Sequence, residues 1–174
     1  MPAEAEFKVL NIAVLTLSDT RTRETDSSGD TLVELLQEAG HVLAARDLCA
    51  DNVYLMRSIV SNWIADSSIN AIITTGGTGF TRRDSTPEAL RPLFDREIEG
   101  FGELFRQISY EEIRSSTVQS RSCAGLANKT LIFCLPGSTG ACKTGWNGIL
   151  KEQLDSRHKP CNFVAVTALG SGQH

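Results

Sequence analysis

The sequence predicts an α/β protein with a three-layer α/β/α architecture, built on a mostly parallel central sheet with one antiparallel edge strand. Residues 9–17 and 71–75 are short, nearly continuous apolar runs, which are typical of parallel strands covered on both faces. Between such runs lie segments of about ten to fifteen residues whose apolar side chains recur at helical spacing. A hairpin pattern near residues 124–135 predicts the antiparallel strand at the edge.

The first part of the chain reads as a strand, a helix and a second strand. The run at residues 9–17 is followed by a polar stretch and by a helix that opens near residues 26–30. Gly40 follows the last apolar residue of this helix, where a C-cap is expected. Residues 42–48 are then predicted to form the second strand.

The middle of the chain contains the next helix and the third strand. Asp51 and Asn52 are candidate caps of a helix that extends to about Ile64. Residues 71–75 form the third strand, and a glycine-rich loop follows it directly. This order of strand, loop and helix start produces unpaired backbone amides that can bind an anion.

The helix after the glycine loop has a clear start signal. Pro87 suits an early helical position, with Thr86 as the cap or Ser85 in a capping box with Glu88. The remaining elements are predicted as helices at 86–93, 101–113 and 141–154, and as strands at 124–127, 130–135 and 162–169.

Composition narrows the class of protein. The 174 residues carry a net charge of −4 without any run of lysines and arginines, so binding of nucleic acid through a basic face is disfavoured. No apolar stretch is long enough for a membrane span, and residues 1–8 lack the basic-then-apolar pattern of a signal peptide, so a cytoplasmic location is expected. The five cysteines are spread without a metal-binding or disulfide pattern. We expect a single domain over residues 1–174.

Three polar loops follow predicted strands, at residues 18–29, 76–86 and 136–140. Right-handed crossovers place all strand-to-helix loops of a parallel sheet at its carboxyl edge, called the rim below. Glycine-rich turns also cap strands in any doubly wound fold. However, all three loops contain glycine and hydroxyl residues, and the first two also contain aspartate and arginine. This shared chemistry favours a phosphate-bearing ligand bound at the rim.

Two aspartates are candidate metal ligands at the rim. Asp84 lies between the glycine loop and a helix start, and Asp51 follows the neighbouring strand. Two carboxylates beside phosphate groups suit Mg²⁺, which takes few protein oxygens. The alternatives are a plain helix cap for Asp51 and a charge favoured by the helix dipole for Asp84.

General nucleotide-binding fingerprints are absent. Arg82 stands where the third glycine of a dinucleotide-binding motif would be, and no P-loop or nucleophile-elbow pattern occurs. The three histidines lie outside the glycine loops, which argues against histidine-based acid–base chemistry.

A combination of motifs resembles the molybdopterin-binding MoaB/MogA family. It consists of TGGTG at residues 75–79 and RDSTPEA at residues 83–89, with further matches at 18–19, 28–29, 94–103 and 135–138. The similarity extends over a core of about residues 9–163, and the segments at 119–121 and 127–133 look closest to the MoaB branch.

The resemblance implies a role in molybdenum cofactor biosynthesis. Molybdopterin would attack the α-phosphate of MgATP, giving adenylylated molybdopterin and pyrophosphate, in a homotrimer or homohexamer. Asp84 and Asp51 would be the catalytic residues and would hold Mg²⁺. The implied ligand-binding residues are Ser18, Asp19, Ser28, Gly29, Thr75, Gly76, Gly77, Thr78, Gly79, Thr86, Pro87, Glu88, Pro136, Gly137 and Ser138.

One departure from the family pattern keeps an alternative open. Transferase-type relatives usually continue x-Pro-Lys after Pro136-Gly137, whereas this chain has Ser138-Thr139-Gly140. Lys143, one helical turn later, is a candidate to bind the same anion. The alternative function is a non-catalytic protein that binds or delivers molybdopterin in the same pathway.

Overall fold

A six-stranded sheet forms the central layer of the computed structural model, which describes residues 3–170. The strand order is β2-β1-β3-β6-β5-β4. The first four strands in that order are parallel, while β5 is antiparallel to both of its neighbours. Their bounds are β1 Asn11–Leu17, β2 Val42–Cys49, β3 Ala71–Thr75, β4 Arg96–Glu97, β5 Cys123–Ala127 and β6 Thr130–Leu135.

Helices cover both faces of this sheet. They are α1 Ser27–Glu38, α2 Val53–Ala65, α3 Thr86–Leu90, α4 Glu99–Ile113, α5 Thr139–Gly145 and α6 Lys151–Gln153, with a π-helical turn at Trp146–Leu150 between the last two. Short 3₁₀ segments lie at Arg23–Thr25, Arg91–Leu93, Arg114–Gln119 and Phe163–Val166. No helix in residues 3–170 is long and apolar enough to cross a membrane.

Two apolar cores separate the three layers. Alternate residues of β1 point to opposite faces, so Ile12 and Val14 pack in one core and Ala13 and Leu15 in the other. The first core includes residues of α1, α4 and α5, and the second includes residues of α2 and α3. The predicted three-layer fold with its mostly parallel sheet is therefore confirmed.

The helix caps determine which aspartates remain available at the rim. Asp26 caps α1 by accepting a hydrogen bond from Gly29 N at 3.1 Å. Asn52 caps α2, since its side chain accepts from Tyr54 N at 2.9 Å and from Leu55 N at 3.0 Å. Asp51 is therefore not needed as the cap.

The antiparallel hairpin turns where the sequence predicts. Asn128 and Lys129 both have positive φ values, 49° and 64°, as a two-residue hairpin turn of the primed type requires. The short strand β4 was not predicted, and it pairs with the outer side of β5.

Several predicted boundaries differ in the structure. The helix after the glycine loop ends at Leu90 and continues only as a 3₁₀ turn, and Ser85 is at its cap position without a side-chain hydrogen bond. The predicted strand at 162–169 is wrong. The Asn162 side chain accepts from Val164 N at 3.1 Å and so starts a 3₁₀ turn, while Val164 packs into the first core.

Candidate functional site

The carboxyl ends of β1, β3 and β6 open into one cleft of about 660 Å³. Because these strands are adjacent and parallel, the loops that follow them meet at the same edge. This cleft, called the rim cleft, contains residues of all three predicted loops. They are Ser18–Arg21 and Ser28 from the first, Gly76–Gly79, Thr81, Arg83 and Asp84 from the second, and Pro136–Ser138 and Gly140 from the third.

The glycine loop lies too close to its neighbours for larger residues. Gly76 has φ +112°, and a Cβ added there would lie 2.2 Å from the carbonyl oxygen of Leu17. Gly77 has φ +71°, and its added Cβ would lie 2.2 Å from Thr86 Oγ1. Thr86 Oγ1 also donates to Gly76 O at 2.8 Å. The loop is thereby held against β1 in a conformation that only glycine adopts easily.

The loop leaves a row of backbone donors free. Gly76 N donates to Leu135 O at 2.9 Å, but among residues 3–170 the amides of Gly77, Thr78 and Gly79 donate to no backbone or side-chain acceptor. Successive free amides in a turn form an anion-binding concavity. Ser28 supports the same use, because it lines the cleft almost fully buried and its Oγ has no partner in the described part of the chain.

Asp51 is an unusual carboxylate within this cleft. Its Oδ1 is buried and has no hydrogen-bond partner among the described residues. Burial raises the pKa of the Asp51 carboxyl, and the negative charges of Asp19 and Asp84 add to the increase. A buried, unpartnered oxygen close to two other carboxylates is a position that a cation would stabilise.

Asp19 has the opposite environment. Arg83 donates to it through Nε at 2.7 Å and through a terminal nitrogen at 2.9 Å. These hydrogen bonds, with a further one from Asp51 N, lower the pKa of the Asp19 carboxyl to about 2. The pair holds the guanidinium of Arg83 at the rim cleft.

Asp84 is oriented by its own loop. Its Oδ2 accepts from Thr81 N at 2.9 Å and from Thr81 Oγ1 at 2.7 Å. No group of three or more metal-ligating side chains occurs within residues 3–170. Mg²⁺ needs only one or two carboxylates when phosphates supply the other ligands, so Asp51 and Asp84 fit this ion.

The structure brings together most of the predicted site residues. Those that line the rim cleft are Ser18, Asp19, Ser28, Asp51, Thr75, Gly76, Gly77, Thr78, Gly79, Asp84, Pro136, Gly137 and Ser138. Gly29, Thr86, Pro87, Glu88 and Lys143 are not among its lining residues.

The predicted residues outside the lining have other positions. Gly29 donates to the Asp26 cap, and Thr86 is buried beneath the loop that it supports. Pro87 is buried in α3, and exposed Glu88 forms an ion pair with Arg121. Lys143 is exposed on α5.

Arg121 was not predicted as part of the site. Its Nε donates to Gly79 O at 2.8 Å, a terminal nitrogen donates to Asp84 O at 3.0 Å, and its backbone N donates to Thr78 O at 2.8 Å. Arg121 therefore fixes the glycine loop relative to Asp84. In the sequence, Arg121 belongs to the segment at 119–121, which resembles the MoaB branch of the family. That resemblance assigns no role to Arg121.

Residues of α4 were also missed. Ser109, Glu112 and Ile113 line the rim cleft together with the predicted loops. The sequence predicts a helix over residues 101–113, but it gives no information on which loops the carboxyl-terminal end of this helix lies near.

Known proteins share both the sequence and the fold. A sequence family described as "Probable molybdopterin binding domain" matches residues 13–156. Molybdenum cofactor biosynthesis protein B of Escherichia coli (strain K12) is 54% identical over 158 residues, which cover 91% of this chain and 93% of that protein.

Two solved structures are similar over most of their length. A crystal structure of molybdenum cofactor biosynthesis protein B has a TM-score of 0.82 at 42% identity, and the match covers 84% of this chain and 92% of that one. The tungsten cofactor synthesizing protein MoaB from Pyrococcus furiosus has a TM-score of 0.75 at 36% identity, with 83% and 92% covered.

Proposed function

Because the chain belongs to the family of probable molybdopterin-binding domains, we propose that it acts in molybdenum cofactor biosynthesis by binding molybdopterin in the rim cleft and adenylylating it with MgATP. The observation that carries this proposal is the glycine loop, whose free amides share one cleft with the carboxylates of Asp19, Asp51 and Asp84. Amides suit phosphate, and the carboxylates suit the cation that accompanies ATP.

Phosphate groups would bind mainly to backbone amides. The amides of Gly77, Thr78 and Gly79 supply donors, with the Ser28 hydroxyl on the α1 side of the cleft. Arg83 neutralises part of the negative charge, and Asp19 keeps its guanidinium in place. These groups orient the two substrates with respect to each other.

The reaction itself needs positioning more than acid–base chemistry. An oxygen of the molybdopterin phosphate forms a bond to the α-phosphorus of ATP, and the bond from that phosphorus to the β-phosphate oxygen breaks. Pyrophosphate leaves with the electron pair, so no side chain has to remove a proton from the nucleophile. Mg²⁺, held by Asp51 and Asp84, would neutralise charge on the phosphates of ATP.

One observation favours a second candidate, a protein that binds or delivers molybdopterin without transfer. Ser138 stands where transferase-type relatives usually continue towards a Pro-Lys pair, and Lys143 does not line the cleft. No lysine of residues 3–170 is therefore available in the cleft for the ATP phosphates. Binding of the pterin depends less on a lysine beside the ATP phosphates than transfer of the adenylyl group does.

The proposal also covers the domain organisation, the location and the oligomeric state of the protein. We propose one molybdopterin-binding domain over residues 1–174, of which the first two and last four residues lie outside the described part, and a cytoplasmic homotrimer or homohexamer. Sedimentation equilibrium measures the mass of the assembly directly. A monomer at micromolar concentration would contradict this part of the proposal.

The test of catalysis is pyrophosphate release from MgATP with and without molybdopterin. We expect release only when both are present, and a loss of about 100-fold or more in Asp84→Asn. Asp66→Asn is the matched control, because Asp66 accepts from the backbone and hydroxyl of Ser68 as Asp84 does from Thr81, but it lies before β3, at the opposite edge of the sheet.

The outcomes separate the two candidates. Molybdopterin binding without pyrophosphate release by the wild type would establish the binding protein instead of the transferase. Full activity of Asp84→Asn would refute the role given to Asp84.

A further inference from the structure

The rim cleft has a second side that the phosphate-binding loops do not form. The carboxyl-terminal half of α4 provides Ser109, Glu112 and Ile113, and Thr144 of α5 lies beside them. Ile113 offers an exposed apolar surface, and Ser109 is buried. This side is therefore partly apolar and suits a ring system rather than a phosphate.

Glu112 brings a negative charge to this side. Thr144 Oγ1 lies 2.9 Å and 3.0 Å from its two carboxylate oxygens, which fixes the carboxylate against α5. The single hydroxyl proton of Thr144 is shared with Gly140 O at 3.0 Å, so most acceptor sites of Glu112 stay free. Among residues 3–170 Glu112 forms no ion pair.

A carboxylate in a cleft for phosphorylated ligands determines the direction in which the ligand binds. It repels phosphate and attracts a group with several hydrogen-bond donors. The aminopyrimidinone edge of a pterin has two parallel donors, the ring N3–H and the 2-amino group, which match the two oxygens of a carboxylate. The adenine edge has one amino donor beside a ring nitrogen acceptor, so it cannot form the same pair of bonds.

We propose that Glu112 recognises the aminopyrimidinone edge of the pterin ring and so orients molybdopterin with its phosphate towards the glycine loop. The inference rests on the proposed function and assigns the pterin, rather than the adenine, to the α4 side of the rim cleft. Thr144 is a positioning residue for the Glu112 carboxylate.

The test compares two stable phosphate esters, those of 6-hydroxymethylpterin and of 6-hydroxymethyllumazine. The lumazine has a carbonyl oxygen where the pterin has the 2-amino group, so a carboxylate there would face an acceptor. By fluorescence titration we expect the wild type to bind the pterin ester at least about tenfold more tightly. Glu112→Gln keeps an acceptor for Thr144, but it should reduce this preference to about twofold or less.

The control is Glu111→Gln, which removes a charge from the neighbouring exposed residue that does not line the cleft. Its preference for the pterin ester should equal that of the wild type. ATP affinity, measured on the same three proteins, should not weaken in either variant.

Other results of these titrations would contradict either the role of Glu112 or the proposed function. Equal binding of the two esters by the wild type, or an unchanged preference in Glu112→Gln, would overturn the assignment while leaving molybdopterin binding itself intact. A weakened ATP affinity in Glu112→Gln would place adenine on the α4 side instead. Failure of the wild type to bind molybdopterin would refute the proposed function itself.

Discussion

At the scale of the residue, Asp51 shows that the site is not arranged for stability. Its buried Oδ1 lacks a partner in the described part of the chain, and two further carboxylates lie close enough to raise its pKa. The neighbouring cap position is occupied by Asn52, so the fold does not require an acid at residue 51. A carboxylate that lowers stability without a cation beside it is expected at a functional site rather than at a structural one.

Replacing Asp51 by asparagine should stabilise the protein when no cation is bound. Because folding raises the pKa of Asp51 above its ordinary value of 3.8, the folded protein holds the Asp51 proton more tightly than the unfolded chain does. The free energy of unfolding contributed at this position therefore falls as the pH rises through the raised pKa. We expect the melting temperature of Asp51→Asn at pH 7 to exceed that of the wild type by about 2 °C.

The pH dependence provides the check on that prediction. The difference in melting temperature should shrink as the pH falls through the raised pKa and disappear well below 3.8, where Asp51 is protonated in both states. Asp47→Asn, at an exposed residue of β2, should show no comparable gain. A lower melting temperature of Asp51→Asn at pH 7 would contradict the electrostatic account.

Arg121 is the second residue whose role can be tested alone. Arg121→Lys retains the charge but cannot keep the bonds to Gly79 O and Asp84 O together, so we expect molybdopterin affinity to fall about tenfold. Arg57→Lys is the control, since Arg57 donates to the carbonyl oxygens of Ala89 and Glu88 on α3. Calorimetric titration should show that Arg57→Lys binds molybdopterin as tightly as the wild type does. Equal losses of affinity in the two variants would indicate that Arg121 has a purely structural role.

At the scale of the element, the glycine loop after β3 is the part of the site most constrained by its surroundings. Gly76 adopts a positive φ directly against the Leu17 carbonyl of β1. The loop is also bonded to β6 through Gly76 N and to α3 through Thr86. These contacts hold the free amides at one place before any ligand arrives, which lowers the entropic cost of binding.

Gly76→Ala should therefore strongly destabilise the protein. Its Cβ would lie 2.2 Å from a backbone oxygen that cannot move without displacing β1, and we expect a loss of about 3 kcal/mol or more in urea denaturation. Gly100→Ala is the control, because nothing lies within 4 Å of its added Cβ in the first turn of α4. That variant should be as stable as the wild type or slightly more stable. A loss below about 1 kcal/mol in Gly76→Ala would contradict the described loop.

The elements that the sequence predicted well are those with a strong local signal. The apolar runs defined β1 and β3, and the polar pair Asn128 and Lys129 between two apolar runs defined the hairpin turn. The strand expected near Phe163 failed because its β-branched residues have strand propensity, while the Asn162 cap and core packing favour a 3₁₀ turn. Tertiary contacts decide such cases.

The candidate site was predictable to the extent that it follows strand ends. Parallel topology alone placed Asp84 and Ser138 at one edge, and the structure brings both into the rim cleft. The contributions of Glu112 and Arg121 depend on how α4 and the segment after it pack against the loops, and such long-range contacts leave no periodic pattern in the sequence. Lys143 has a suitable charge, but it lies on an exposed face of α5.

At the scale of the whole molecule, the strand order accounts for the location of the site. The adjacent parallel strands β1, β3 and β6 direct three loops from distant parts of the chain to one edge, where they line the rim cleft. A smaller pocket near Arg91 and Arg106 lies beside β4 and α4, away from these loops. We therefore expect molybdopterin to bind at a single place, the rim cleft.

The most direct measurement is an anaerobic titration of ¹⁵N-labelled protein with molybdopterin, followed by amide chemical shifts in TROSY spectra. We expect the largest shifts at Gly77, Thr78 and Gly79, with Ser138 and Glu112 also affected. Residues 66–70, at the opposite edge of the sheet, should not move. Shifts centred on that edge or on Arg91 and Arg106, with the glycine loop unchanged, would contradict the account.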